Sequence, residues 1–221
     1  MTINELIPLL GQEYGLPQWH SQRDPLSELI RTILSQNTSD VNSHRAFDSL
    51  VSTFGTWYRV AEASIDEIAA AIACGGLSRI KSPRIKAILE VILNSQGSLD
   101  IGFLGQLPLP EARAWLQALP GVGPKTANCV LLFSLGMPAL PVDTHVYRVC
   151  RRLGLIDPKV SPARAHQILE ELIPAEAIYQ FHINVLAHGR RVCRAQRPRC
   201  SDCILLEGCV YGKGTIRATG S

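Results

Sequence analysis

The stretch Leu119-Pro120-Gly121-Val122-Gly123-Pro124-Lys125-Thr126-Ala127 decides the fold. An amphipathic helix over 111–118 runs into a Pro-Gly-Val-Gly turn, and a second helix starts at once. Gly121 and Gly123 let the backbone turn sharply and approach a partner with no Cβ in the way. The N–H groups of the turn and of the new helix start then point outward together, which makes an anion site. Gly-Val-Gly alone also suits an ordinary helix–helix turn; the whole string is far more specific.

The helical pattern extends outward in both directions. Apolar residues recur at three- and four-residue spacing in Leu26-Leu29-Ile30-Ile33-Leu34 and again in Ile85-Ile88-Leu89-Ile92. Ser64 followed by Glu67 is a capping box, and Pro83, Pro110 and Pro162 mark first helical positions. Gly55, Gly97, Gly136 and Gly154 stand where helices should stop. No alternating strand, repeat or low-complexity segment breaks the pattern. The expectation is an all-α fold of about nine or ten helices of ordinary length.

At 221 residues there is room for one large domain or two small ones. Hydrophobic residues at 46 % and charged residues at 19 % exclude a disordered chain. The net charge of +3 argues only weakly for an anionic partner, but its distribution says more. Between His188 and Cys200 stand Arg190, Arg191, Arg194, Arg197 and Arg199 with no acidic residue. Arg148, Arg151 and Arg152 form a second cluster on a predicted helix. Such patches suit a phosphate backbone, although a solvated face has the same look. No run approaches the roughly 18 apolar residues of a membrane span. Met1 to Glu5 lacks a secretory signal, so the expectation is a cytoplasmic chain with reduced thiols and no membrane partner.

Seven cysteines then need a reason other than disulfides. Cys74, Cys129 and Cys150 fall inside apolar helical patterns and read as buried small hydrophobes. The others run Cys193-x6-Cys200-x2-Cys203-x5-Cys209. Four thiolates suit zinc or a cubic iron–sulfur cluster, and zinc ribbons usually show two Cys-x2-Cys knuckles where this chain has one. Twenty residues beyond the hairpin, Pro141-Val142-Asp143-Thr144-His145 precedes an apolar helix. Asp143 reads there as a helix N-cap and as a candidate catalyst. Lys125 sits two residues into its helix, whose positive end opposes a further cation and suits a nucleophilic amine.

The hairpin string resembles the helix-hairpin-helix motif. With the Val-Asp-Thr-His segment and the four cysteines, it makes the chain from Asp24 to Cys209 resemble the endonuclease III family of DNA repair glycosylases. The resemblance implies Lys125 as nucleophile and Asp143 as catalytic aspartate. It implies a 4Fe–4S cluster on Cys193, Cys200, Cys203 and Cys209. It also implies a hairpin at Gly121 and Gly123 that grips a DNA phosphate with a bound monovalent cation. Branches that lack the lysine only hydrolyse the glycosidic bond, so its presence implies a glycosylase that also cleaves abasic DNA. In the loop Leu34-Ser35-Gln36-Asn37-Thr38-Ser39-Asp40, Ser39 or Asp40 can cap the next helix. Asn37 matches the family's residue that faces the orphaned base, with Gln36 beside it; the family often has Gln where this chain has Asn37. Gly75-Gly76-Leu77-Ser78-Arg79 resembles the loop that wedges an apolar side chain into the stack, with Leu77 as wedge; the other reading is a core anchor. Lys81, opening the next helix, is a candidate phosphate contact, as are Arg190 and Arg194.

The implied architecture is two helical domains flanking a DNA-binding cleft, with Lys125 and Asp143 on its two walls and a C-terminal cluster loop. The boundaries read as 23–132 for the barrel domain, 1–22 with 133–211 for the iron–sulfur domain, and 212–221 for a flexible tail. The implied partner is double-stranded DNA carrying a damaged base or an abasic site, met by a nucleoid-associated monomer. Oxidised pyrimidines lead as substrates. Rival readings are excision of mismatched thymine or 5-methylcytosine, a non-catalytic DNA-binding module, and a redox relay.

Overall fold

The computed structural model describes residues 1–21 and 23–219. Among them the chain forms α-helices and short 3-10 turns, with no strand. It divides into an internal unit, residues 20–137, and a terminal unit built from residues 1–19 and 138–221. Helix α1 (Ile3–Tyr14) belongs to the terminal unit. The internal unit holds α2 (Pro25–Ser35), α3 (Asp40–Phe54), α4 (Trp57–Glu62), α5 (Ile65–Ala71), α6 (Ser78–Gln96), α7 (Leu109–Gln117) and α8 (Pro124–Phe133). The chain then returns to the terminal unit for α9 (Thr144–Leu153), α10 (Pro162–Leu172), α11 (Ile178–Arg191) and α12 (Val210–Thr219).

Helix α8 is the axis of the internal unit, because every residue from Thr126 to Leu132 is buried. A helix covered on all sides is a central element. Helix α2 packs on it through Leu26, Leu29, Ile30, Ile33 and Leu34, the periodic residues of the sequence. Each fully buried side chain of this kind contributes roughly 1.5–3 kcal/mol. Asp24 fixes the start of α2 by accepting the Ser27 N–H at 2.9 Å. In the terminal unit α11 packs against both α1 and α9, burying Leu6, Leu10, Val146, Val149, Phe181 and Val185.

The capping box at Ser64 and Glu67 forms, and Ser161 caps α10 with Pro162 behind it. Other local expectations fail. Helix α6 begins at Ser78 and not at Pro83, because Leu77 takes a left-handed conformation and its carbonyl accepts the Ile80 and Lys81 N–H groups at 3.0 Å. Pro83 then removes a single hydrogen bond, the one it would have given the Arg79 carbonyl. Cys74 is exposed and not buried, since α5 ends at Ala71 and the thiol falls in the following 3-10 turn.

The expected tail is helix α12 as far as Thr219; Gly220 and Ser221 lie outside the described residues. Gly212, where the flexible tail was expected to begin, is buried and packs closely. A Cβ there would lie 3.0 Å from Leu206 Cδ1 and 3.5 Å from Cys209 Sγ. One residue earlier the Arg152 guanidinium lies 4.3 Å from the centre of the Tyr211 ring. These contacts, not helix propensity, hold the segment. Tyr211→Ala is therefore expected to remove about 1 kcal/mol and lower the melting temperature by ~2–4 °C. An unchanged melting curve would mean that the segment contributes no more than a loose tail.

Candidate functional site

The hairpin between α7 and α8 is shaped by one close contact. Gly121 has φ 72°, and a Cβ on it would sit 2.3 Å from Arg84 Nε, so only glycine admits the guanidinium lying across the turn. Gly123 is different. Its backbone is extended, and an added Cβ would meet nothing within 4 Å. Nothing inside the protein requires glycine there; what it leaves is bare backbone for an approaching group. The N–H groups of Gly121, Gly123, Lys125 and Thr126 have no acceptor among the described residues. With the positive end of α8 behind them, they form an anion cradle. The Lys125 side chain is half-buried at its edge, and its Nζ makes no hydrogen bond or ion pair among the described residues.

Gln36, which caps the end of α2, braces this hairpin. Its Nε2 donates to Thr126 Oγ1 at 3.2 Å and to the Gly121 carbonyl at 3.4 Å, while its Oε1 accepts from Arg84 Nη1 at 2.7 Å. Its amide is thus taken up inside the protein, so Gln36 positions the cradle. Asn37, next to it, is exposed with φ 52° and no partner among the described residues.

A second loop meets this one. Thr38 Oγ1 donates to the Gly75 carbonyl at 3.0 Å and accepts from Lys81 Nζ at 2.7 Å; Lys81 also donates to the Leu34 carbonyl at 2.6 Å. Lys81 is 2 % exposed, so it is no phosphate contact, contrary to the sequence expectation. Helix α6 starts a turn earlier than expected, which turns this side chain inward onto the end of α2. Burial, and then the neighbouring Arg84, holds its pKa below the ordinary lysine value. Leu77, four residues earlier, is 45 % exposed with φ 56°. That exposure removes the core-anchor reading.

In the terminal unit Asp143 caps α9. Its Oδ1 accepts both the His145 and Val146 N–H groups at 2.8 Å, and Oδ2 takes no hydrogen bond among the described residues. Cap and reactive carboxylate are therefore compatible, one oxygen for each. The His145 ring turns to Arg148, whose Nη2 lies 3.1 Å from Nδ1.

The cysteine loop is built on inward-facing arginines that the sequence presented as a surface cluster. Arg148 donates to the carbonyls of Cys193 at 3.0 Å and Gly189 at 2.9 Å. Arg152 donates to those of Arg194 at 2.6 Å and Ala195 at 3.1 Å, and its Nη1 lies 3.4 Å from Cys193 Sγ. Arg190, Arg194, Arg197 and Arg199 are left exposed on the loop and at the end of α11. All four cysteines line one small apolar cavity of about 20 Å³, beside Val149, Leu153 and Leu206. Among the described residues no three His, Cys, Asp or Glu side chains form a single-ion site. Burial, and then the neighbouring thiols, pushes the Cys203 pKa up to about 11. Arg84, Arg148, Arg152 and Thr38 were missed from sequence because each acts on a residue far along the chain.

Residues 30–175 match the family described as HhH-GPD superfamily base excision DNA repair protein. Endonuclease III of Thermotoga maritima is 34 % identical over 205 residues, covering 91 % of this chain and 92 % of that protein. Endonuclease III of Escherichia coli K12 is 33 % identical over 187 residues, 85 % of this chain and 84 % of the relative. A solved structure of a trapped endonuclease III–DNA covalent intermediate, an estranged-adenine complex, superposes with a TM-score of 0.82 at 30 % identity. The match covers 98 % of this chain and 100 % of that one.

Lys81→Met is expected to cost about 1–3 kcal/mol of stability by leaving the Leu34 carbonyl without its donor. The salt dependence of duplex binding should stay as it is. Loss of about 0.9 from the slope of log affinity against log salt would restore the phosphate reading.

Proposed function

The chain belongs to the HhH-GPD superfamily of base excision DNA repair proteins and, within it, to the endonuclease III family; from that premise we propose a bifunctional DNA glycosylase and abasic-site lyase that excises oxidised pyrimidines from double-stranded DNA. The observation that carries the reading is the pairing, at the start of one buried helix, of an amide cradle for phosphate with an unpartnered lysine amine. The cradle holds a backbone phosphate and so brings the sugar to Lys125. Arg190 and Arg194 attract phosphates along the strand. The target nucleotide leaves the stack, Leu77 fills the gap, and Asn37 faces the base left behind.

Lys125 Nζ bonds to C1′ as the bond to the base breaks, and the base departs with the electron pair. The Asp143 carboxylate balances the positive charge gathering at the sugar and accepts a proton from the attacking amine. Opening of the sugar leaves an imine between Lys125 and C1′, which acidifies the C2′ proton. Loss of that proton and breakage of the C3′–O bond cut the strand on the 3′ side. Water then returns the free amine.

Cys193, Cys200, Cys203 and Cys209 fit a 4Fe–4S cluster by their spacing, by their shared cavity, and by the N–H groups directed at their sulfurs. When bound, the group cross-links the loop and fixes its shape. Arg148 and Arg152 hold the loop carbonyls from the protein side.

Borohydride added during turnover should lock the enzyme to DNA by reducing the imine. Lys125→Gln should lose that trapped complex and strand cleavage while still binding duplex. Asp143→Asn should keep the melting temperature, since asparagine caps as well as aspartate, and lose most excision. Robust trapping by the Lys125→Gln protein would sink the mechanism, and a fully active Asp143→Asn protein would make Asp143 a cap alone. Purified enzyme should carry about four irons per chain. One tightly bound zinc in their place would overturn the cluster assignment.

A further inference from the structure

His188 is buried at the last turn of α11, and its carbonyl accepts the N–H groups of both Val192 and Cys193 at 2.9 Å. The residue thus fixes where the helix gives way to the cysteine loop. Its ring reaches in two directions. Nδ1 lies 2.9 Å from the Tyr14 hydroxyl and Nε2 lies 3.7 Å from Cys203 Sγ, which is within hydrogen-bonding reach for sulfur. The Tyr14 and His188 rings meet edge to face, 5.8 Å between centres and 76° between planes, so the imidazole has little room to turn.

A neutral imidazole has one N–H, and its neighbours decide which nitrogen carries it. A Cys203 thiolate bound to metal has no proton to give. Nε2 must then be the donor, Nδ1 must accept, and the Tyr14 hydroxyl supplies the proton for that bond. All three groups are satisfied in this arrangement only. A hydrogen bond to a ligating sulfur withdraws electron density and favours the more reduced, more negative cluster. Arg152 and the Gly212 N–H make related contacts to Cys193 and Cys209, at 3.4 and 3.2 Å. The His188 contact is distinguished by a donor ring that is 2 % exposed, and low dielectric strengthens it.

We propose that His188, its tautomer fixed by Tyr14, is a positioning residue that donates an N–H···S hydrogen bond to Cys203 and raises the reduction potential of the cluster. The inference rests on the iron–sulfur reading above. It makes α1 part of the cluster site, although Tyr14 stands 174 residues from His188 in the chain.

The test is film voltammetry of purified holoenzyme, with iron content and visible absorption measured on the same samples. In this measurement the electrode supplies and removes the single electron. His188→Leu should keep its iron and shift the potential to a more negative value. His188→Gln, which retains an N–H donor, should recover much of that shift. Tyr14→Phe, at a half-buried position and changed by a single hydroxyl, should fold and shift the potential in the same direction by a smaller amount. Wild-type potential in fully loaded Tyr14→Phe and His188→Leu proteins overturns the inference and leaves the cluster reading intact. If His188→Leu does not fold, Tyr14→Phe alone decides. Wild-type enzyme without iron overturns the cluster reading itself.

Discussion

One buried ammonium holds the loops that carry Asn37 and Leu77 in place. Lys81 binds the Leu34 carbonyl at the negative end of α2 and, through Thr38, the carbonyl of Gly75. Two loops that are distant in sequence are thereby fixed to each other. Both contain a residue in the left-handed region, Asn37 on one and Leu77 on the other. Each such residue costs on the order of 1–3 kcal/mol and persists only where its surroundings over-determine it. The charge-assisted hydrogen bonds of Lys81, strengthened by the negative end of α2, supply that determination. The same bonds explain how an amino group remains in a site where burial disfavours its charged form.

The terminal unit solves a like problem with arginine. Loop carbonyls between Cys193 and Ala195 are gathered by Arg148 and Arg152, whose planar guanidinium groups each reach two or more acceptors. The third non-glycine residue with positive φ, Arg197, lies in this loop. All three such residues among the described ones therefore sit on segments assigned to DNA contact or to the cluster. Basic residues serve two ends here. Those facing inward hold irregular backbone in shape, and those facing outward leave the finished loops positively charged.

This division explains what could be read from the sequence. The hairpin, the capping box at Ser64 and Glu67, the apolar stripe of α2 and the cysteine spacing are local features, set by residues close to each other along the chain. They were legible for that reason. Lys81 was not, because its place depends on where α6 begins, and that start depends on the conformation of Leu77. Gln36 belonged to a polar loop by pattern but to the hairpin by contact, across 90 residues to Thr126. Arg148 and Arg152 looked no different from Arg151, since nothing in a helical periodicity marks which face a cysteine loop will cover. The tail expected from 212 onward is helical for the same reason: the close packing of Gly212 on Leu206 and Cys209 is a contact that no local pattern marks.

The same geometry separates two lysines that stand alike in the sequence. Lys81 and Lys125 each stand near the start of a helix and beside a glycine-containing turn. The Lys81 nitrogen is engaged on the Leu34 carbonyl and Thr38 Oγ1, and 2 % exposure leaves no path for a sugar carbon to reach it. Lys125 starts from the opposite condition. The helix that carries it is buried from Thr126 onward, so its backbone is held rigidly, while its side chain has no internal partner to give up. An amine that is positioned without being engaged has little reorganisation to undergo before attack, and that economy is where much of a covalent catalyst's advantage lies. Asp143 follows the same rule with two oxygens: Oδ1 is fixed on the helix amides, and that fixed bond aims the oxygen left open.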